Sequence, residues 1–91
     1  MSPISWARSA DKHGIAHEDA VHAIVNALYI VPAFDDGRTG GLAPDLYVGP
    51  DRGGQLLEVL LERVSRMEAT VFHVMPARPK IVNAARRRLG E

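Results

Sequence analysis

The chain contains no cysteine in its 91 residues. That excludes a disulfide framework, thiolate zinc sites and a cysteine nucleophile together, and fits a reducing compartment. No run approaches the roughly 20 apolar residues of a membrane-spanning helix, and Met1-Ser2-Pro3-Ile4-Ser5-Trp6 is not a basic region followed by an apolar one. The expectation is a cytoplasmic protein without membrane association. Ninety-one residues suffice for one core and not for two, so a single domain spanning 1–91 is expected, with any site on the surface of that core.

Other absences narrow the chemistry. Gly37, Gly40 and Gly41 are not followed by Gly-Lys-Ser/Thr, so they form no phosphate loop. His13 and His17 have the four-residue spacing of helical metal ligands, but Gly14 interrupts them and no third ligand follows; His17 and His22 diverge. No metal and no cofactor is expected. Ser2, Ser5, Ser9 and Ser65 lack a triad context. Trp6 reads as a core anchor rather than a platform for stacked bases.

The chain also lacks net charge, with 11 Lys+Arg against 11 Asp+Glu. Taken alone, this weighs against binding to nucleic acid, whose affinity draws largely on phosphate neutralisation. The charge is unevenly spread. Residues 1–45 hold three Lys+Arg and six Asp+Glu, net −3, and residues 46–91 hold eight and five, net +3. One basic side follows from that division, although a solvated helix face would produce the same imbalance.

The pattern along the chain predicts α+β, with two N-terminal helices, a small antiparallel sheet and a C-terminal helix. Residues 6–13 are helix-compatible and Gly14 stops them. Residues 17–28 place Val21, Ile24, Val25 and Leu28 on one apolar stripe, with Glu18 and Asp19 at the positive end of the helix dipole. Tyr29-Ile30-Val31-Pro32 reads as a short strand and residues 35–41 as a loop. Strands at 45–49 and 55–61 pair as a hairpin through the turn Pro50-Asp51-Arg52-Gly53-Gly54. A third strand, 70–75, alternates Val71, His73 and Met75 with Phe72 and Val74, and Pro76 and Pro79 end it. Residues 80–89 form the last helix, with Ile81, Val82, Ala85 and Leu89 inward and Asn83, Arg86 and Arg87 outward.

Several of these segments resemble BrnT-type toxins of the RelE/ParE-like superfamily. The residues that carry the resemblance are Trp6, Lys12-His13-Gly14-Ile15, Glu18-Asp19-Ala20, a strand ending at Gly49, Gly54-Gln55-Leu56-Leu57-Glu58-Val59, and Ala77-Arg78 before an arginine-rich helix. It spans nearly the whole chain through short motifs, and departs at Ala16 and Pro76, where serine is usual. The resemblance implies a compact α+β fold and the toxin of a type II toxin–antitoxin pair, acting as a metal-independent endoribonuclease on RNA. It also implies a DNA-binding antitoxin protein that covers the toxin in an oligomeric complex. Two alternatives stay open: an inactive module that only pairs with an antitoxin-like protein, and a toxin with another target such as a topoisomerase.

Metal-free RNA cleavage requires a base for the ribose 2′-OH, cations for the phosphorane oxygens and an acid for the leaving 5′-oxygen. Arg78 is the candidate phosphate clamp, because guanidinium is a planar fork that keeps its charge. His73 or His13 is the candidate acid or base, with Lys12 in electrostatic support. Arg86, Arg87 and Lys80 are candidate RNA contacts. Each has a plainer reading. His73 could be a structural histidine between apolar neighbours, Arg78 a cap for the strand end, His13 a cation at a helix C-terminus and the arginine run a solvated helix face.

Overall fold

The residues 56–61, Leu-Leu-Glu-Val-Leu-Leu, form the middle of the sheet, because a strand apolar at both alternating sets of positions can satisfy both only between two layers. The computed structural model describes residues 3–34 and 44–90. In chain order these are β1 (Ile4–Trp6), a 3-10 turn (Arg8–Asp11), α1 (His17–Val25), β2 (Tyr29–Val31), β3 (Asp45–Pro50), β4 (Leu56–Arg63), β5 (Ala69–Pro76) and α2 (Pro79–Arg88). The fold is α+β. The loop expected at 35–41 lies outside the described residues.

The five strands are ordered β1-β5-β4-β3-β2. All neighbouring pairs are antiparallel except β1 with β5, which are parallel. The expected 45–49/55–61 hairpin is present as β3–β4, and its turn is built by the Asp51 side chain. Asp51 Oδ1 accepts from the backbone N–H of Gly53 at 2.8 Å and of Gln55 at 2.9 Å, and Gly54 takes φ +94, which favours glycine.

Two apolar clusters lie on opposite faces of the sheet. Leu57, Val59 and Leu61 of β4 join Val71, Val74, Tyr47 and the α1 residues Ala20 and Ala23. Leu60 joins Leu46, Val48, Val31, Phe34 and the α2 residues Ile81 and Ala85. By the two-residue period, Glu58 belongs to the Leu60 side, the α2 side. Full burial of each large apolar side chain contributes roughly 1.5–3 kcal/mol, so β4 is the chief anchor of both layers.

Several sequence expectations change, among them that for Leu89, expected inward but standing at the C-cap of α2, past its last turn, and 44% exposed. The first helix is not a helix: Ile4–Trp6 enter the sheet as a parallel edge strand, and only Arg8–Asp11 turn, as a 3-10 segment. Ala69 N–H donates to Pro3 O at 2.9 Å and Ala7 N–H to Val71 O at 2.8 Å, so long-range ladder bonds override the local helical compatibility. The sheet is accordingly mixed and not purely antiparallel.

The helix at 17–28 ends at Val25, closed by Asn26, whose backbone N–H and side-chain Nδ2 both donate to His22 O at 3.0 Å. Its buried residues are Ala20 and Ala23, whereas Val25 and Leu28 are exposed. Close approach explains the exchange. A Cβ on Gly49 of β3 would lie 2.2 Å from the carbonyl oxygen of Ala23, so α1 meets the sheet most closely through its smallest residues, with Ile24 packed beside them and Val25 turned out.

The alternation expected along 70–75 is broken by an irregularity opposite Leu60/Leu61. Leu61 pairs with Val71 and Leu60 with His73, leaving Phe72 as an extra residue. Val71 and Val74 therefore share the α1-side cluster, and His73 is brought to the position opposite Leu60.

Candidate functional site

Glu58 is 1% exposed, a carboxylate in a strand otherwise made of leucine and valine. Burying it unpaired would be prohibitive, and it is not unpaired. Oε1 accepts from the backbone N–H of Arg78 at 3.0 Å and from Arg78 Nε at 3.0 Å. Oε2 accepts from Arg78 Nη2 at 2.8 Å and lies 3.0 Å from His73 Nε2. Burial pushes the Glu58 carboxyl upward, but the hydrogen bonds from His73 and Arg78 outweigh it and bring it to about 2. It is an anion at any ordinary pH.

Local structure sets this arrangement. Pro76 and Pro79 bracket Ala77-Arg78, so the ladder ends and the helix starts within three residues. Arg78 has extended backbone at φ −83, ψ 144 and is the N-cap of α2, with Pro79 at the first helical position, where its missing N–H costs nothing. No side chain of α2 caps its own N-terminus. The Glu58 carboxylate takes that place from the neighbouring strand through the Arg78 N–H, and sits at the positive end of the helix dipole.

The same carboxylate determines the His73 ring. An ionised carboxylate only accepts, so Nε2 of His73 carries the proton it donates, and in the neutral imidazole Nδ1 is the lone-pair nitrogen. Among the described residues Nδ1 has no hydrogen-bond partner, and none of their side-chain nitrogens or oxygens closed off from solvent is left unpaired. Nδ1 is therefore not sealed from solvent, although His73 as a whole is 9% exposed. A histidine oriented by a buried anion through one nitrogen and open at the other is equipped to take up and return a proton.

His13 lies edge-on to His73, with ring centroids 5.9 Å apart at 85°. It is exposed, carried there by the 3-10 turn and by Gly14 at φ +69. Ser9 Oγ donates to Phe72 O at 2.6 Å, fastening that turn beside the irregular part of β5. The structure thus joins two of the four expected catalytic residues, His73 and Arg78, on a carboxylate that sequence reasoning treats only as a polar interruption of a strand, and brings His13 to the His73 ring alone. Lys12 is exposed next to His13, and among the described residues no side-chain bond ties it to the group.

The expected RNA contacts divide. Lys80 and Arg87 line a groove of about 390 Å³ with Arg78, Arg88, Phe34, Ile81 and Ala84. Arg86 is exposed and does not line it. The Arg88 guanidinium lies 5.9 Å over the centroid of Phe34. Arg78 carries a charge offset by Glu58, so among the described residues Lys80, Arg87 and Arg88 supply the positive charge of the groove beside it.

The remaining histidines lie away from Glu58, with partners of their own. His17 stacks on Trp6 with centroids 3.9 Å apart at 7°, and its Nε2 lies 2.6 Å from Asp11 Oδ1. His22 Nδ1 lies 2.9 Å from Pro50 O. Among the described residues no three His, Asp or Glu side chains are placed to hold a metal ion, and no helix is long and apolar enough to cross a membrane. Compared with protein-family models, curated proteins and solved structures, the chain matches none.

Proposed function

We propose that this protein is the toxin of a type II toxin–antitoxin pair, BrnT-like within the RelE/ParE-like superfamily, and a metal-independent endoribonuclease in the cytoplasm. The observation that carries the reading is the buried Glu58 carboxylate, which holds His73 and Arg78 together at the rim of a basic groove. Arg78 steadies the scissile phosphate through the charge that develops on its oxygens. Nδ1 of His73 takes the proton of the ribose 2′-OH, and the exposed His13 beside it returns one to the leaving 5′-oxygen. Glu58, too buried to touch substrate, positions both partners. Lys80 and Arg87 hold flanking phosphates, with Lys12 and Arg86 adding charge at greater distance. A DNA-binding antitoxin protein restrains the toxin by laying an acidic segment across Arg78 and α2.

The test is incubation of the purified, folded protein with RNA in excess chelator. Cleavage is expected, together with its loss in His13→Ala, whose exposed side chain is not part of the core. Intact RNA from a folded stock overturns the enzymatic reading.

One observation favours a second reading. The Arg78 N–H, Nε and Nη2 all donate to Glu58, as they would in a purely structural pair. On this reading the protein keeps the fold and binds an antitoxin-like partner without cutting RNA. Expression alone then leaves growth unchanged.

A further inference from the structure

The groove beside Arg78 differs in character along its length. Lys80, Arg87 and Arg88 give it positive charge, whereas Ile81, Ala84 and the Phe34 ring give it an apolar wall and floor. Phe34 is buried and Arg88 lies over its ring, so the floor is already closed on one side. Its volume of about 390 Å³ falls within the roughly 300–1,000 Å³ of sites that enclose small ligands.

A surface serving only phosphates needs no such wall. Duplex RNA presents phosphates and 2′-hydroxyls while its bases remain stacked inside, so an apolar recess gains nothing from it. A single strand can turn a base out of its stack, and charged grooves with apolar or aromatic walls bind single strands by taking bases this way.

We infer that the groove between Phe34 and α2 is a subsite for one unstacked nucleotide of single-stranded RNA, its base against Ile81 and Ala84 and its phosphates on Lys80 and Arg87. The inference rests on the nuclease reading for its substrate, but it concerns binding and is tested without cleavage. The apolar wall requires an unpaired base, so the protein selects single strands beside the Arg78 centre. Ala84, half-buried on the helix flank, controls the depth of the recess.

The experiment measures binding of a 2′-O-methyl RNA, which cannot be cut, as a labelled single strand and as a duplex of equal length. The wild-type protein binds the single strand more tightly. Ala84→Leu fills the recess without changing charge and weakens single-strand binding by about tenfold, the loss of one seated base, with duplex binding unaltered. Arg87→Ala weakens both RNAs and reduces the salt dependence of each by about one phosphate contact. Equal affinity for strand and duplex, or equal loss of both in Ala84→Leu, overturns the subsite. Preferential capture of an acidic amphipathic peptide, with no RNA bound, overturns it in favour of a protein-docking groove. Failure of cleavage with single-strand selectivity intact refutes the nuclease and leaves the subsite standing; the reverse pair of results does the opposite.

Discussion

The backbone N–H of Arg78 and two nitrogens of its own guanidinium all donate to the carboxylate of Glu58, at 3.0, 3.0 and 2.8 Å. One buried anion therefore caps α2, orients the arginine and, through Oε2, fixes the tautomer of His73. Fold and site share this group. A change at Glu58 must disturb both, and the two effects can be separated by choice of substitution.

Arg78→Ala leaves Glu58 buried without its guanidinium partner, with two of its four donors, the residue 78 N–H and His73 Nε2, still in place. Breaking one side of a buried ion pair costs about 3–5 kcal/mol, which shifts the midpoint of urea denaturation far towards zero. Glu58→Gln, which removes the charge but keeps the shape, is expected to cost less than Arg78→Ala. The idea fails if the two variants denature at the wild-type midpoint.

Acid dependence follows from the same carboxyl, lowered from 4.5 to about 2 in the folded protein. The unfolded chain takes up this proton more readily than the folded one. The stabilisation is thus complete above about pH 4.5 and is lost as the pH falls through about 2, an effect of about 3 kcal/mol from this group alone. Unfolding free energies measured across that window should fall for the wild type and stay flatter for Glu58→Gln. Parallel profiles would assign the acid sensitivity to other carboxylates.

In the catalytic reading, Arg78→Lys keeps the charge but cannot reproduce the fork that spans both oxygens of Glu58 while facing phosphate. RNA cleavage should drop by about 10²–10³-fold, the usual loss when a donor to a developing oxyanion is removed. Lys80→Ala should act chiefly on substrate affinity, since Lys80 lines the groove and not the Glu58 cluster. Single-turnover rates at saturating RNA distinguish the two, and an unchanged rate in Arg78→Lys removes Arg78 from the chemistry.

Arg78 is legible in the sequence because two prolines isolate it between a strand and a helix, and the β3–β4 hairpin is legible from Asp51 and its glycines. Glu58 is the residue that sequence reasoning passes over, yet the signal exists. In Leu56-Leu57-Glu58-Val59-Leu60-Leu61 both alternating sets of positions are apolar, so the strand is covered on both faces and its one carboxylate requires a buried partner. What cannot be read locally is β1. Its three residues join β5 only through pairing across more than 60 positions, and no local pattern distinguishes that from a short helix. The extra residue at Phe72 is equally hidden, since it arises from the match between two strands rather than from either one.

Val25 at the end of α1 and Leu28 just beyond it provide the last prediction. Periodicity assigns Val25 and Leu28 to the core, whereas the structure leaves them 75% and 63% exposed and buries Ala20 and Ala23 instead. Contact through small residues makes the α1–β3 junction intolerant of bulk and its flanks tolerant of polarity. Gly49→Ala drives a methyl to within 2.2 Å of the Ala23 carbonyl oxygen and 2.9 Å of the Ala27 Cα. Backbone atoms cannot swing aside as side chains do, so the helix must shift, at a cost of about 1–3 kcal/mol. Leu28→Lys, by contrast, should stay within about 0.5 kcal/mol of wild type, as surface substitutions away from packed features do. Thermal denaturation of the two variants decides the matter: if the lysine destabilises as strongly as the methyl, Leu28 is a core residue and α1 sits on the sheet by its large side chains after all.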